Sequence, residues 1–386
     1  MLVQNKLKYL EGLRGIAAII VVFHHYTLAF FPAFNYGLIN QTHFGGGKFE
    51  VFVAQTPLNL FCNGGFAVCL FFILSGYVLS QSYYQHQNPN ILSNYAIKRY
   101  VRLFIPVSLT IIISYFFIKT GLMHNGGIDD ITKSGDWLSG SFNKDDGLYD
   151  LFKNIFINVF INRDNKYNPV LWTMTYELLG SFLLFSFLLI IHPIKKNFIL
   201  YVILIFVLLF TQYYFYSAFI LGTFLNKYKM NYSFFNSKWF LISLLIVGLF
   251  FGSYPLGNDI DHTFYRYITF SFLGNYDFYH VIGAFFTLFV VLKSFRLQKI
   301  LSTKFLNYVG KISFSFYLIH FIILCSLSCY LFKVFYTTFG YNESVGLAFI
   351  SSLPVIIVIS IYFYKYVDTF GIKFSEKILG LFNSKN

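Results

Sequence analysis

The sequence is short of charge, and shortest of acid. Asp and Glu number 16 in 386 residues, and charged residues together make up 12%. That is about half the quarter usual in a soluble domain. So little charge excludes the two or three water-soluble domains that the length alone would allow. It also excludes a disordered chain, which needs high charge and few apolar groups. Cysteine is scarce as well. Cys62, Cys69, Cys325 and Cys329 sit in or beside apolar runs. Their spacing is neither a zinc pattern nor a disulfide framework, and no metal is expected. No internal repeat and no linker to a second domain is found. The first apolar stretch lacks a small-residue cleavage site and runs on like a span, so no cleavable signal peptide is expected.

What fills the sequence is apolar. Hydrophobic residues reach 56% and aromatics 22%, with 52 Phe and 31 Tyr, and mean hydropathy is +0.61. The expected fold is all-α: a single polytopic membrane domain over residues 1–386. The formal charge of +13 resembles a nucleic-acid footprint. The basic residues lie between apolar spans, however, where cytoplasmic loops of membrane proteins collect Lys and Arg. No nucleic-acid partner is expected; the partner surface is the lipid bilayer.

A spanning helix needs about 20 mostly apolar residues. Ten stretches qualify as candidates: 15–34, 65–83, 104–120, 169–191, 198–213, 214–226, 239–255, 276–293, 308–333 and 346–367. The fifth and sixth are short and suggest a tight hairpin. Ten spans put both termini on one side. With the N-terminus inside, most of the 29 basic residues are cytoplasmic, against only three acids, Glu11, Asp368 and Glu376. The expected orientation is N-in, C-in. The one long outer segment, 121–168, carries Gly126-Gly127, Asp129-Asp130 and Lys144-Asp145-Asp146. It reads equally as a connector and as a lid or acceptor-binding surface. Its run Leu151 to Ile161 suggests an interfacial helix. Residues 368–386 read as a short cytoplasmic tail.

Ionisable groups inside spans are costly, so each is a functional candidate. In the first span Arg14 and His25 are eleven positions apart, three turns plus roughly 20°, and so share a face. His25 lies roughly 16 Å deeper than Arg14, near mid-bilayer. His24 points elsewhere. Ser75-Gly76 ends the second span and suggests either a close helix crossing or a site. Arg99 and Arg102 share a face just before Pro106. They read either as an ordinary positive-inside anchor or, with Arg14 on the same side, as an anion site suited to phosphate, since the planar guanidinium fork binds two oxygens at once. Glu177 lies about 12 Å below the outer surface in the fourth span and needs a His or Arg partner. Thr173 is one turn before it, and Trp172 sits at the outer end. Ser313, Tyr317 and His320 share roughly one face of the ninth span, with His320 near mid-depth. His280 reads equally as a wet interfacial residue and as part of a site.

Five elements taken in order resemble acyltransferase family 3, whose members O-acylate cell-surface glycans. They are Glu11-Gly-Leu-Arg14 with His25; Phe71-Phe-Ile-Leu-Ser-Gly76; Lys98-Arg99-Tyr-Val-Arg102 before Pro106; Leu171-Trp-Thr-Met-Thr-Tyr-Glu177; and Ser313 through Tyr317-Leu-Ile-His320. Where the family often follows the Glu with Glu-Gln, Leu178-Leu179 stand here. The esterase-like domain that some members of the family carry is not expected here.

The resemblance implies an acyl donor, usually acetyl-CoA, taken from the cytoplasm, and a saccharide acceptor at or beyond the membrane. It implies a bacterial inner or plasma membrane. On this reading Arg14, Arg99 and Arg102 hold the donor phosphates, and Trp172, Ser75 and Tyr317 line the substrate path. His25, Glu177 and His320 form the catalytic set. His25 acts either as general base or as acyl-accepting nucleophile. The competing expectation is a proton-coupled transporter or flippase of a lipid-linked glycan, with the buried His and Glu as a proton relay.

Overall fold

The computed structural model describes residues 8–44, 46–142, 147–229, 232–256, 260–261, 263–270 and 276–383, with side chains to 381. Lys6, Lys144-Asp145-Asp146 and Lys385, counted above, lie outside these residues. Every regular element among the described residues is helical.

Ten helices occupy the ten expected places. Seven are long and apolar enough to cross a membrane. They are α1 (Lys8–Phe30), α2 (Gly64–His86), α3 (Asn90–Lys119), α4 (Trp172–Ile191, entered through the 3-10 turn Pro169–Leu171), α8 (Tyr276–Lys293), α9 (Lys304–Tyr336) and α10, which begins at Tyr341. The other three are shorter: α5 (Phe198–Phe210), α6 (Tyr214–Lys227) and α7 (Lys238–Gly252). At about 1.5 Å per residue none of these reaches the ~30 Å of a hydrocarbon core. Among the described residues, seven of the ten expected stretches thus hold helices of spanning length. The α5–α6 pair does form the expected hairpin, turning at residues 211–213.

Local chemistry sets the boundaries. Helix α1 stops before Pro32. The Asn63 side chain caps α2 by accepting from the Phe66 amide, and α2 ends where Gln87 turns into the left-handed region at φ 51°. Pro106 lies inside α3 without ending it. Asn168 caps the entry to α4 and donates to the Leu318 carbonyl at 2.9 Å, which ties α4 to α9. Helices α9 and α10 each contain a π-turn, Leu324–Ser328 and Tyr364–Asp368. Such a turn inserts a residue and re-aims the side chains beyond it. Past its π-turn α10 continues as Thr369–Asn383 and packs on α3, so the stretch read as a tail is helical.

Two crossings bring backbones into contact, as small residues allow. A Cβ on Gly310 of α9 would lie 1.9 Å from the Glu11 carbonyl oxygen of α1. A Cβ on Gly76 of α2 would lie 2.1 Å from the Phe219 carbonyl oxygen of α6. The Ser75-Gly76 step is thus a close helix crossing. Segments 31–63 and 121–168 meet over one end of the bundle, where His43 Nε2 donates to the Thr132 carbonyl at 3.0 Å. The helical run expected at Leu151 to Ile161 spans Leu148 to Ile161, with a π-turn at Asn154–Asn158.

Candidate active site

Two cavities occupy the bundle axis. The first, about 440 Å3, lies toward the α1 N-terminus and is lined by Arg14, Arg99, Arg102 and Lys311, with Glu11, Glu177 and Asp368 among them. The second, about 530 Å3, lies toward the α1 C-terminus and is lined by His24, His25, Trp137, Arg163 and Trp172. Val68 and Tyr317 line both. Tyr317 is held there by donating to the Val170 carbonyl at 2.7 Å and by a 2.9 Å bond with the Thr173 hydroxyl.

His25 and His320 meet across the α1–α9 interface, His25 Nδ1 to His320 Nε2 at 2.9 Å. His320 is fully buried, and its Nδ1 lies 3.0 Å from the Phe316 carbonyl. A carbonyl only accepts, so in the neutral ring Nδ1 of His320 carries the hydrogen and Nε2 is its lone pair. His25 must then donate from Nδ1. That leaves Nε2 of His25 as its basic nitrogen, in a ring oriented by a partner as a general base requires. The Trp137 ring lies parallel to His25 at 6.1 Å, and Phe321 meets it edge-on at 5.1 Å. His24 is oriented separately. Its Nδ1 donates to the Cys62 carbonyl at 2.6 Å and lies 2.9 Å from Asn35 Oδ1. Gly64 makes room for it, since a Cβ there would sit 2.4 Å from the ring.

In the first cavity the three arginines are not equivalent. The Arg99 guanidinium is paired with the Glu177 carboxylate and donates from Nε to Ser181 at 2.9 Å. Ser75 also donates to Glu177, at 3.1 Å. This knot joins α2, α3 and α4. Arg14 pairs with Glu11 on its own helix at 3.1 Å, and both side chains are about one-third exposed or less. Arg102 is exposed. Glu177 thus lines the arginine cavity and not the cavity that His25 lines. A buried carboxylate needs a counter-charge, and Arg99 is of one of the two partner types, His or Arg, expected for Glu177.

The predicted residues therefore divide in two. Arg14, Arg99, Arg102, Ser75 and Glu177 line one cavity, His25 and Trp172 line the other, and Tyr317 faces both. His320 backs His25. His280 is buried and belongs to a different knot, with Asn63 and the Tyr254 carbonyl. Trp137 and Lys311 line the cavities without having been expected there, and Asp368 was expected only as a cytoplasmic acid. For Trp137 the available signal was a lone Trp in an otherwise polar outer segment. Among the described residues no group of three His, Cys, Asp or Glu is placed to hold a metal, and the four cysteines are free and buried.

A helical membrane bundle with a paired imidazole above an arginine-lined cavity has the parts of a group-transfer enzyme. Residues 7–365 match the acyltransferase domain of family 3, so the chain belongs to acyltransferase family 3. The O-acetyltransferase PaAT-1 of Phomopsis amygdali is 26% identical to it over 217 residues, which is 49% of this chain and 41% of that protein. The matched stretch thus covers less than half of that relative's length. No solved structure matches the chain.

Proposed function

We propose that this acyltransferase moves an acetyl group from cytoplasmic acetyl-CoA to a hydroxyl of a cell-surface or lipid-linked saccharide, in one membrane domain with both termini inside. The bias of Lys and Arg supports the orientation. It puts the arginine cavity on the cytoplasmic side and the imidazole cavity on the outer side. The observation that carries the reading is the shared wall: Tyr317 and Val68 face both cavities, with the His25–His320 pair beside them.

In this mechanism Arg14 and Arg102 take the donor phosphates, with Arg99 behind them as a fixed positive group. Ser75 and Tyr317 flank the path of the thioester. The acceptor enters between Trp172 and Trp137. His25 Nε2 removes the hydroxyl proton as the oxygen attacks the thioester carbonyl. The carbon–sulfur bond breaks, and the CoA thiolate leaves and is protonated. The imidazolium that forms on His25 is stabilised by the lone pair of His320. Glu177 holds Arg99 in place. A bacterial inner or plasma membrane is the proposed location.

The test is acetyl-CoA binding and transfer by purified protein. Arg102→Ala should weaken binding. His25→Ala should abolish transfer, a loss of about 10²–10⁴ for a general base, and leave donor binding intact. Well-folded wild type that does not bind acetyl-CoA, or a His25 variant that transfers at the wild-type rate, would refute the proposal.

A further inference from the structure

A third cavity, about 910 Å3, lies at the same end of the bundle as the arginine cavity but on the other side of α2. Tyr77, Gln81 and Tyr84 recur at four- and three-residue spacing and face it, whereas Ser75 and Leu79 face the arginine cavity. Its size suits a small organic ligand. Its charge is one-sided: Lys195, Lys227, Lys229 and Lys293 line it, and among the described residues no Asp or Glu does. The arginine cavity, by contrast, sets three carboxylates among its four cations.

Lys227 is positioned by neutral groups. Its ammonium donates to Asn197 Oδ1 and lies over the rings of Tyr201 and Tyr228, 5.6 and 5.5 Å from their centroids. Asn197 is buried, and its amide donates to the carbonyls of Ile191 and Ile194, which fixes its oxygen toward the lysine. Tyr228 donates to the same oxygen at 3.0 Å. Helix C-termini account for single lysines here. They do not account for a cavity of this volume walled by tyrosines and glutamines, in which a held cation meets no acid. Fixed ammonium groups beside aromatic and hydroxyl surface are what a phosphorylated ligand requires.

We propose that this cavity is a second anion site, separate from the acyl-donor cavity, that binds two phosphate groups of one ligand. A nucleoside diphosphate presents them as a pyrophosphate, and the cardiolipin headgroup as two phosphodiesters. The experiment is calorimetric titration of ADP into the full chain in phosphatidylcholine nanodiscs, repeated with cardiolipin in the disc. The variants are Lys227→Gln, the double variant Lys195→Gln/Lys229→Gln at two exposed positions that do not bear on folding, and Arg102→Gln. Saturable ADP binding should weaken about tenfold in the lysine variants, the loss expected for one charge-assisted contact, and change by less than about twofold in Arg102→Gln. Cardiolipin that blocks ADP and raises the unfolding temperature only when the lysines are present assigns the same site to a lipid headgroup. Two results overturn the proposal. One is cooperatively folded wild type that shows no lysine-dependent response to either probe. The other is ADP binding lost in Arg102→Gln and kept in the lysine variants, which puts the nucleotide in the donor cavity. Because the readout is binding, it stands apart from whether the protein transfers acetyl groups.

Discussion

Two ion pairs are seen among the described residues, and they differ in kind. Arg14–Glu11 is an i, i+3 pair with side chains 27% and 31% exposed. Pairs of this sort contribute about 0.3–0.5 kcal/mol, so Arg14 can leave Glu11 for a ligand at little cost. Arg99–Glu177 joins two helices with side chains only 10% and 13% exposed. Unit charges about 4 Å apart attract by about 4 kcal/mol at an effective dielectric of about 20. Removing one partner of such a pair costs about 3–5 kcal/mol, because the other charge stays behind. Arg99→Gln and Glu177→Gln should therefore each destabilise the protein by roughly 3 kcal/mol or more. The double variant leaves no buried charge, and its amides can still reach Ser75 and Ser181. It should be more stable than either single variant. The assay is denaturant or thermal unfolding of all four proteins in one detergent, read as a double-mutant cycle. A double variant destabilised by the sum of the singles would refute the reasoning. Acetyl-CoA binding by the double variant then isolates what Arg99 contributes to the donor.

Three further outcomes follow from geometry. Gly310→Ala should cost about 1–3 kcal/mol by overpacking, because its Cβ would meet the Glu11 carbonyl oxygen at 1.9 Å. It should also slow transfer by pulling His25 from His320. Gly346→Ala in α10, with open space around it, is the control and should be neutral or stabilising in the same melt; equal melting of the two variants would count against the close crossing. Trp137→Ala removes the ring parallel to His25, an aromatic contact worth about 0.5–1.5 kcal/mol. The transfer rate should fall while acetyl-CoA affinity holds; a loss of affinity alone would place Trp137 elsewhere in the mechanism. The third concerns pH. Burial, aided by the Lys133 ammonium, lowers the pKa of His43 below its ordinary 6.5, with its bond to Thr132 acting the other way. The folded state thus favours the neutral ring. The resulting stabilisation is present above pH 6.5 and is lost as pH falls below it. His43→Phe keeps a ring against Tyr341, which stacks on His43 at 3.8 Å, but cannot titrate. Its unfolding temperature should fall less than that of wild type on acidification, and parallel profiles would disprove the assignment.

Helix positions are readable because apolar runs and their breaks are local. All ten runs hold helices, and Arg14 and His25 share α1 as face arithmetic requires. Length is harder to read. The shortness of α5 and the turn at residues 211–213 are legible, because Thr211-Gln212 breaks the apolar run, but the 15-residue α7 is as apolar as a span. Pairings between distant segments are not readable at all. Glu177 advertises its need for a partner, but Arg99 stands 78 positions away. That contact exists only because α3 and α4 pack side by side. The contact of Trp137 with His25 depends on how an irregular segment settles over the bundle, which no periodicity encodes.

The two axial cavities share Val68 and Tyr317 as a common wall. A solute in one faces Val68 and the ring of Tyr317, whose hydroxyl is already committed to Val170 and Thr173. Under the proposed function, an acyl group on the flexible arm of its donor would reach past Val68 and Tyr317 to an acceptor on the other side, so that transfer would need no continuous channel.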